Sequence, residues 1–228
     1  MNSPVSTCKE LVTDPNLVNN VDLMRYERLH QKGKKLIKSW YRRALVEWDC
    51  HPEQSFEPFI YLWISFNAWA DCVTEFDYDK KWIQALSIFP EIANTFLELR
   101  DDPKSSLSQV SNQFYDLWPI FKAQEIRRND SQYYGKGTRK EIIEFYFQHK
   151  IQYFEPKCWK KHIESGEVLP LDWPHTLATL YRVRCNLFHG EKAVHSEMDR
   201  RIVHAAFRVL LYFFNETGYI DHNVGFFR

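Results

Sequence analysis

Between Phe56 and Val73 the chain places Phe59, Leu62, Trp63, Phe66, Ala70 and Val73 three and four residues apart. At 100° per residue these side chains share one face, which predicts a helix with a broad apolar stripe. Pro58 fits inside its first turn, where a missing N–H costs nothing. The same spacing recurs towards both ends. Leu29, Leu36, Ile37, Trp40 and Ala44 predict a helix capped by Asp22 and running to about Trp48, where His51-Pro52-Glu53 breaks it. Ile202, Val203, Ala206, Val209, Leu210, Phe213 and Phe214 predict a last helix over about 197–216. Another helix starts at Pro174, behind a cap at Asp172 or Trp173, and stops at Gly190.

The middle of the chain is more broken. Pro90, Pro103 and Pro119 divide 80–128 into three or four shorter helices. A loop over 129–138 precedes a helix at about 139–150, and a turn or two follows at 157–163. No stretch sustains an alternation of period two between turn signals. The expected fold is therefore an all-α bundle with additional short helices over 80–170. Residues 1–20, polar and carrying Pro4 and Pro15, read as a flexible arm, and 21–228 as a single domain.

Composition narrows the classes. Hydrophobic residues make up 44% and aromatics 16%, enough for a substantial core and too much for a disordered chain. Lys+Arg and Asp+Glu are equal at 30 each, so any nucleic-acid contact must come from a local patch. Five scattered cysteines with no CxxC pair point to reduced thiols in a cytoplasmic protein, without disulfide framework or zinc site. The N-terminus lacks the pattern of a signal peptide, and the apolar runs 59–70 and 205–214 are too short to span a membrane.

Most local candidates for chemistry are weak. Gly135-Lys136-Gly137-Thr138 lacks the spacing and the preceding strand of a phosphate loop. The same region gathers Arg127, Arg128, Lys136, Arg139 and Lys140 around Tyr133 and Tyr134, a pattern that can hold a single-stranded backbone or can be a solvated loop. Lys192 is a further possible RNA contact. His195, Asp199 and His204 give no third ligand at metal spacing, so no metal and no cofactor is expected.

The stretch Tyr181-Arg182-Val183-Arg184-Cys185-Asn186-Leu187-Phe188-His189-Gly190 carries more. Leu177, Leu180, Tyr181, Leu187 and Phe188 fall on one stripe, and Arg184 falls in its middle. A guanidinium cannot shed its charge and is costly to bury alone. Either a carboxylate inside the fold pairs with it, or the stripe faces a partner and a phosphate. Arg182, Asn186 and His189 lie on the opposite side. Histidine can move protons near neutral pH, arginine can stabilise charge on a phosphate, and asparagine can orient. The set is suited to RNA cleavage without a metal, although a salt-bridged helix end would look similar.

Arg184-x4-His189 within VRCNLFHGEK resembles the signature of the HEPN superfamily, in particular a group with the motif VRNNLFHG. FIYLWISFNAW at 59–69 resembles the aromatic helix with a Phe-Asn pair in that group, and the order of helices over about 20–216 is similar. The resemblance implies an HEPN-like bundle, with 80–170 as a subfamily-specific insertion, and a homodimer in which the motif helices meet in a composite cleft. It implies a metal-independent endoribonuclease, a toxin or effector in prokaryotic defence, that uses the ribose 2′-hydroxyl as nucleophile. Arg184 and His189 become the catalytic pair, with Asn186 supporting. Arg182 satisfies the looser spacing, and Asn67 is a possible hydrogen-bond partner of the cluster. A regulatory partner protein or activator is implied as well.

Two positions depart from the pattern. The residue after the motif arginine is usually polar and here is Cys185. The tyrosine that some such toxins carry two residues after the histidine is here Glu191, which argues against control by a partner nucleotidyltransferase. The alternative reading is a non-catalytic module that binds RNA or protein, with the motif serving dimerisation.

Overall fold

The computed structural model describes residues 15–129, 138–148, 153–190 and 196–222. Lys136, Lys192, His195, Tyr133 and Tyr134 lie outside the described residues, as does most of the expected N-terminal arm.

The fold is an all-α bundle. After a 3-10 turn at Pro15–Asn20 come α1 (Met24–Arg28), α2 (Gln31–Leu45) and, beyond a second short turn at Pro52–Gln54, α3 (Phe56–Thr74). Then follow α4 (Asp79–Ile88), α5 (Pro90–Asp101) and α6 (Ser106–Tyr115). A two-residue bridge, β1 (Ile120–Phe121) with β2 (Phe154–Glu155), brackets α7 (Ala123–Asn129) and α8 (Arg139–Gln148). The chain ends with α9 (Trp159–Ser165), α10 (Trp173–Phe188) and α11 (Glu197–Thr217).

The helix expected over 22–48 is two helices. Leu29 and His30 both take extended backbone angles, and the His30 ring accepts from the Lys32 N–H (3.2 Å), so the chain starts a new helix with its own cap. Of the expected stripe, Ile37 and Ala44 are buried, Leu29 and Trp40 half-buried, and Leu36 exposed. The bridge was not expected from sequence, since two residues are too few to show alternation.

α3 is the central element, packed against α2, α4 and α11. Its predicted stripe is buried in full. Phe66 meets Trp82 of α4 edge-on at 5.2 Å and Phe214 of α11 at 5.2 Å. Each such ring contributes roughly 1.5–3 kcal/mol through burial. Trp173, at the start of α10, stacks on Phe213 at 4.6 Å, and its indole N–H donates to the Leu86 carbonyl at 2.9 Å. That anchor fixes where α10 begins, and hence where it ends.

The segment 80–170 divides in two. α4, α5 and α6 place Trp82, Leu86, Phe96, Leu107 and Phe114 in the main core. Ile126, Tyr146 and Phe154 instead form a small separate cluster. Three devices tie this satellite to the bundle. The Arg139 guanidinium donates to the carbonyls of Leu117 and Pro119 (2.5 and 2.7 Å). Asn186 of α10 holds the turn after β1, as described below. Cys158 Sγ meets His175 Nε2 at 3.1 Å, while His175 Nδ1 lies 2.5 Å from Asp172, which also caps α10 through the His175 N–H. Cys158, His175 and Asp172 are all buried, which makes this trio a staple between α9 and α10.

Candidate functional site

α10 delivers the candidate residues to the surface at its last turn. Its first half is wholly buried, and exposure rises only from Tyr181 onward. His189 is the C-cap, and its N–H still bonds to the Cys185 carbonyl at 3.1 Å. Gly190 follows with φ +68°, a left-handed conformation that glycine takes at little cost. The His189 side chain is therefore exposed at a helix end whose backbone is fixed.

The two arginines take opposite environments. Arg184 reaches α4, where its guanidinium pairs with Asp79 at 3.1 Å. It also lies over the rings of Phe188 (4.8 Å) and Tyr181 (5.9 Å). Of the two alternatives for a cation on this stripe, the internal carboxylate is therefore present. Arg182 faces the satellite. Its nearest anion is Glu155 at 3.9 Å, and the buried Nε of both arginines has no hydrogen-bond partner among the described residues.

A cavity of about 510 Å³ joins Arg182 to His189, with Lys122, Tyr153, Lys157 and Asn186 on its walls. A second, inner cavity of about 320 Å³ lies alongside this outer one, between α4, α10 and β2, and shares Lys122, Lys157 and Arg182 with it. The shared wall thus carries three cations. Lys122 Nζ stands 3.5 Å from Glu155 Oε1. Burial makes the Lys122 ammonium more acidic than usual, against the attraction of Glu155. Burial likewise pushes the Glu155 carboxyl up, against Lys122, Arg182 and Lys157.

Asn186 has a defined task. Its side-chain N–H₂ donates to the Phe121 carbonyl (2.7 Å), and its carbonyl oxygen accepts from the Ala123 N–H (3.3 Å). It is buried, so its hydrogen-bonding capacity is directed at the turn that carries Lys122 and not at the cavity's contents. Cys185 is buried beside it and lines the outer cavity. Its thiol adjoins the Tyr181 phenol, which burial, followed by Cys185, pushes up to about 12.

The other sequence candidates are dispersed. Asn67 is half-buried on α3 and its buried Oδ1 has no partner among the described residues, so no hydrogen bond joins it to the motif helix. Arg127 and Arg128 stand exposed at the end of α7, on the turn after Glu125, which lines the outer cavity. Lys140 is exposed and pairs with Glu144 at 3.8 Å. Arg139 does not join that surface. Its guanidinium is turned inward on two carbonyls and over Phe121 (5.3 Å), and burial lowers it to about 10.

Sequence reasoning missed Lys122, Tyr153, Glu155 and Lys157. No spacing links them to α10. The one available signal was a lysine and a glutamate each flanking a proline-marked break, at Pro119 and Pro156. No group of three or more histidine, cysteine or carboxylate side chains placed to hold a metal ion occurs among the described residues. Among the described residues, no helix is long and apolar enough to cross a membrane. No known protein family, no curated protein and no solved structure matches this chain.

Proposed function

We propose that this chain is an endoribonuclease of the HEPN type that cleaves RNA without a metal ion. The observation that carries the reading is the outer cavity, which puts a proton-transfer group, His189, on the same walls as Arg182, Lys122 and Lys157. Such a cavity suits a phosphodiester. Arg182 and Lys157 hold the phosphate oxygens, with Arg182 offering a planar fork of donors. His189 takes the proton of the ribose 2′-hydroxyl as its oxygen bonds to phosphorus. The bond from phosphorus to the 5′-oxygen then breaks, and Lys122, made more acidic by burial, delivers a proton to that oxygen. The products are a 2′,3′-cyclic phosphate and a 5′-hydroxyl.

In this reading Arg182 is the arginine of the pair, and Arg184 supports the helix end by holding Asp79. The active form is a homodimer. Phe188 is 48% exposed and Tyr78, next to Asp79, is 68% exposed, so the Arg184 side of α10 offers aromatic surface to a second copy. A toxin or effector role in defence, under a regulatory partner, follows from the resemblance of the motif.

The second reading is a binding module without catalysis. It is favoured by the fact that Arg184 is ion-paired and Asn186 hydrogen-bonded within the fold. The test is incubation of purified protein with RNA in EDTA. Fragments ending in cyclic phosphate, produced by the wild type and not by His189→Ala, support the nuclease. Intact RNA bound equally by both proteins supports the module.

A further inference from the structure

The inner cavity lies outside the catalytic scheme, yet it opens onto the same three cations. Its size, about 320 Å³, is at the small end for a ligand site. Its walls are of two kinds. Ile83, Ala178, Pro156 and the Tyr181 ring are apolar or aromatic. Glu155 and Lys80 are charged, and the Glu155 side chain is largely withdrawn from water, at 12% exposure. Lys122 and Arg182 stand 3.5 and 3.9 Å from its Oε1, so the carboxylate faces the cavity between two cations. A cavity with apolar and aromatic walls, a carboxylate and ammonium groups beside it offers both an acceptor and donors to the edge of a nucleobase, which a phosphate would leave half unused.

Resting on the ribonuclease reading, we propose that the inner cavity is a nucleobase subsite that selects guanine at Glu155. Guanine presents two adjacent N–H donors, at N1 and N2, beside an acceptor at O6. The donors meet the carboxylate and a neighbouring ammonium, Lys80 or Lys122, meets O6. The phosphate of the same nucleotide then falls on the shared wall, at Lys122, Lys157 and Arg182, next to His189. The donors of the base also favour the charged form of a carboxyl that burial disfavours, so base and carboxylate stabilise each other. Uracil brings one donor where guanine brings two, and cytosine and adenine place an acceptor where guanine has N1–H.

Titration of the full chain with guanosine, adenosine, cytidine and uridine 3′-monophosphates tests this without requiring turnover. The guanosine nucleotide should bind about tenfold more tightly than the others, as expected for one well-made bidentate contact. Glu155→Gln should reduce the preference to less than about threefold while the common phosphate-driven affinity persists. Ala178→Leu, which narrows the cavity without altering charge, should weaken guanosine monophosphate more than inorganic phosphate. Equal binding of all four nucleotides, or a preference that survives Glu155→Gln in a folded protein, would overturn the proposal. The outcomes separate from the nuclease reading. Guanine preference with RNA left intact upholds the subsite and removes the nuclease, whereas cleavage with a preference indifferent to Glu155 does the reverse.

Discussion

Arg182 and Arg184 stand two residues apart on the same helix turn and have different work. Arg184 is paired with Asp79 at 3.1 Å and lies over the rings of Phe188 and Tyr181. Arg182 keeps a looser contact with Glu155 at 3.9 Å and fronts two cavities that it shares with Lys122 and Lys157. The difference comes from what packs opposite. α4 brings a carboxylate alone to one side, while the satellite brings Glu155 together with two lysines to the other. The buried Nε of each arginine lacks a hydrogen-bond partner among the described residues, so the distinction rests on the ion pair of Arg184 and the crowding of Arg182 by lysines.

Substitutions on the two sides should therefore fail in different ways. The largest effect is expected at the cationic wall. Lys122→Met should slow RNA cleavage by about a hundredfold or more, the usual scale for a lost proton donor. A substrate whose 5′-oxygen is replaced by sulfur, a leaving group that needs no proton, should recover most of that rate. If it does not, Lys122 is a phosphate ligand and not the acid.

Asn186→Ala should come next, and its effect should be on stability. It leaves the Phe121 carbonyl and the Ala123 N–H without their partner, at a cost of roughly 2–4 kcal/mol for two buried groups. Hydrogen exchange should show the loss concentrated in β1 and α7, with the main core protected as before.

Arg184→Ala should cost less than about 2 kcal/mol, the sum of a partly exposed ion pair and a cation over a ring. Thermal unfolding would register it as a small downward shift. A collapse of the fold would mean that the Asp79 contact is worth far more than its exposure suggests.

The smallest effect concerns acid. His204 on α11 bonds to the Ser55 hydroxyl at 2.8 Å, and burial depresses its affinity for a proton. The unfolded chain protonates this ring at about pH 6.5 and the native state only at lower pH. Its contribution to stability is present above that pH and is lost as pH falls through the folded value. The melting temperature should be lower at pH 5.5 than at 7.5, and His204→Gln should narrow the gap. An unchanged gap would assign the acid sensitivity to other groups.

The sequence made the bundle legible because its helices declare themselves through burial at fixed spacing. Phe59 to Val73, Ile202 to Phe214 and the Asp172 and Gly190 boundaries of α10 needed only local rules. The side chains that define the cleft were legible on one wall alone. Arg182, Asn186 and His189 share a helix, so rotation by 100° per residue places them together. Lys122, Tyr153, Glu155 and Lys157 arrive through a two-residue bridge whose pairing joins positions 33 and 35 residues apart (Phe121 with Phe154, Ile120 with Glu155), and no periodicity encodes that. The partner of Arg184 was foreseeable in kind, as a carboxylate, but not as Asp79. Arg139 shows the converse. A basic residue beside a basic loop reads as surface, yet two free carbonyls at Leu117 and Pro119 draw it inward.

The central claim is that the functional arginine of the motif helix is the one facing the satellite. Single-turnover cleavage of one RNA substrate in EDTA by Arg182→Ala and Arg184→Ala, at matched folded concentration, tests it directly. Arg182→Ala should lose a hundredfold or more, on the scale of a lost transition-state donor, while Arg184→Ala stays within about tenfold of the wild type. The reverse order, with Arg184→Ala silent and Arg182→Ala active, would contradict the account.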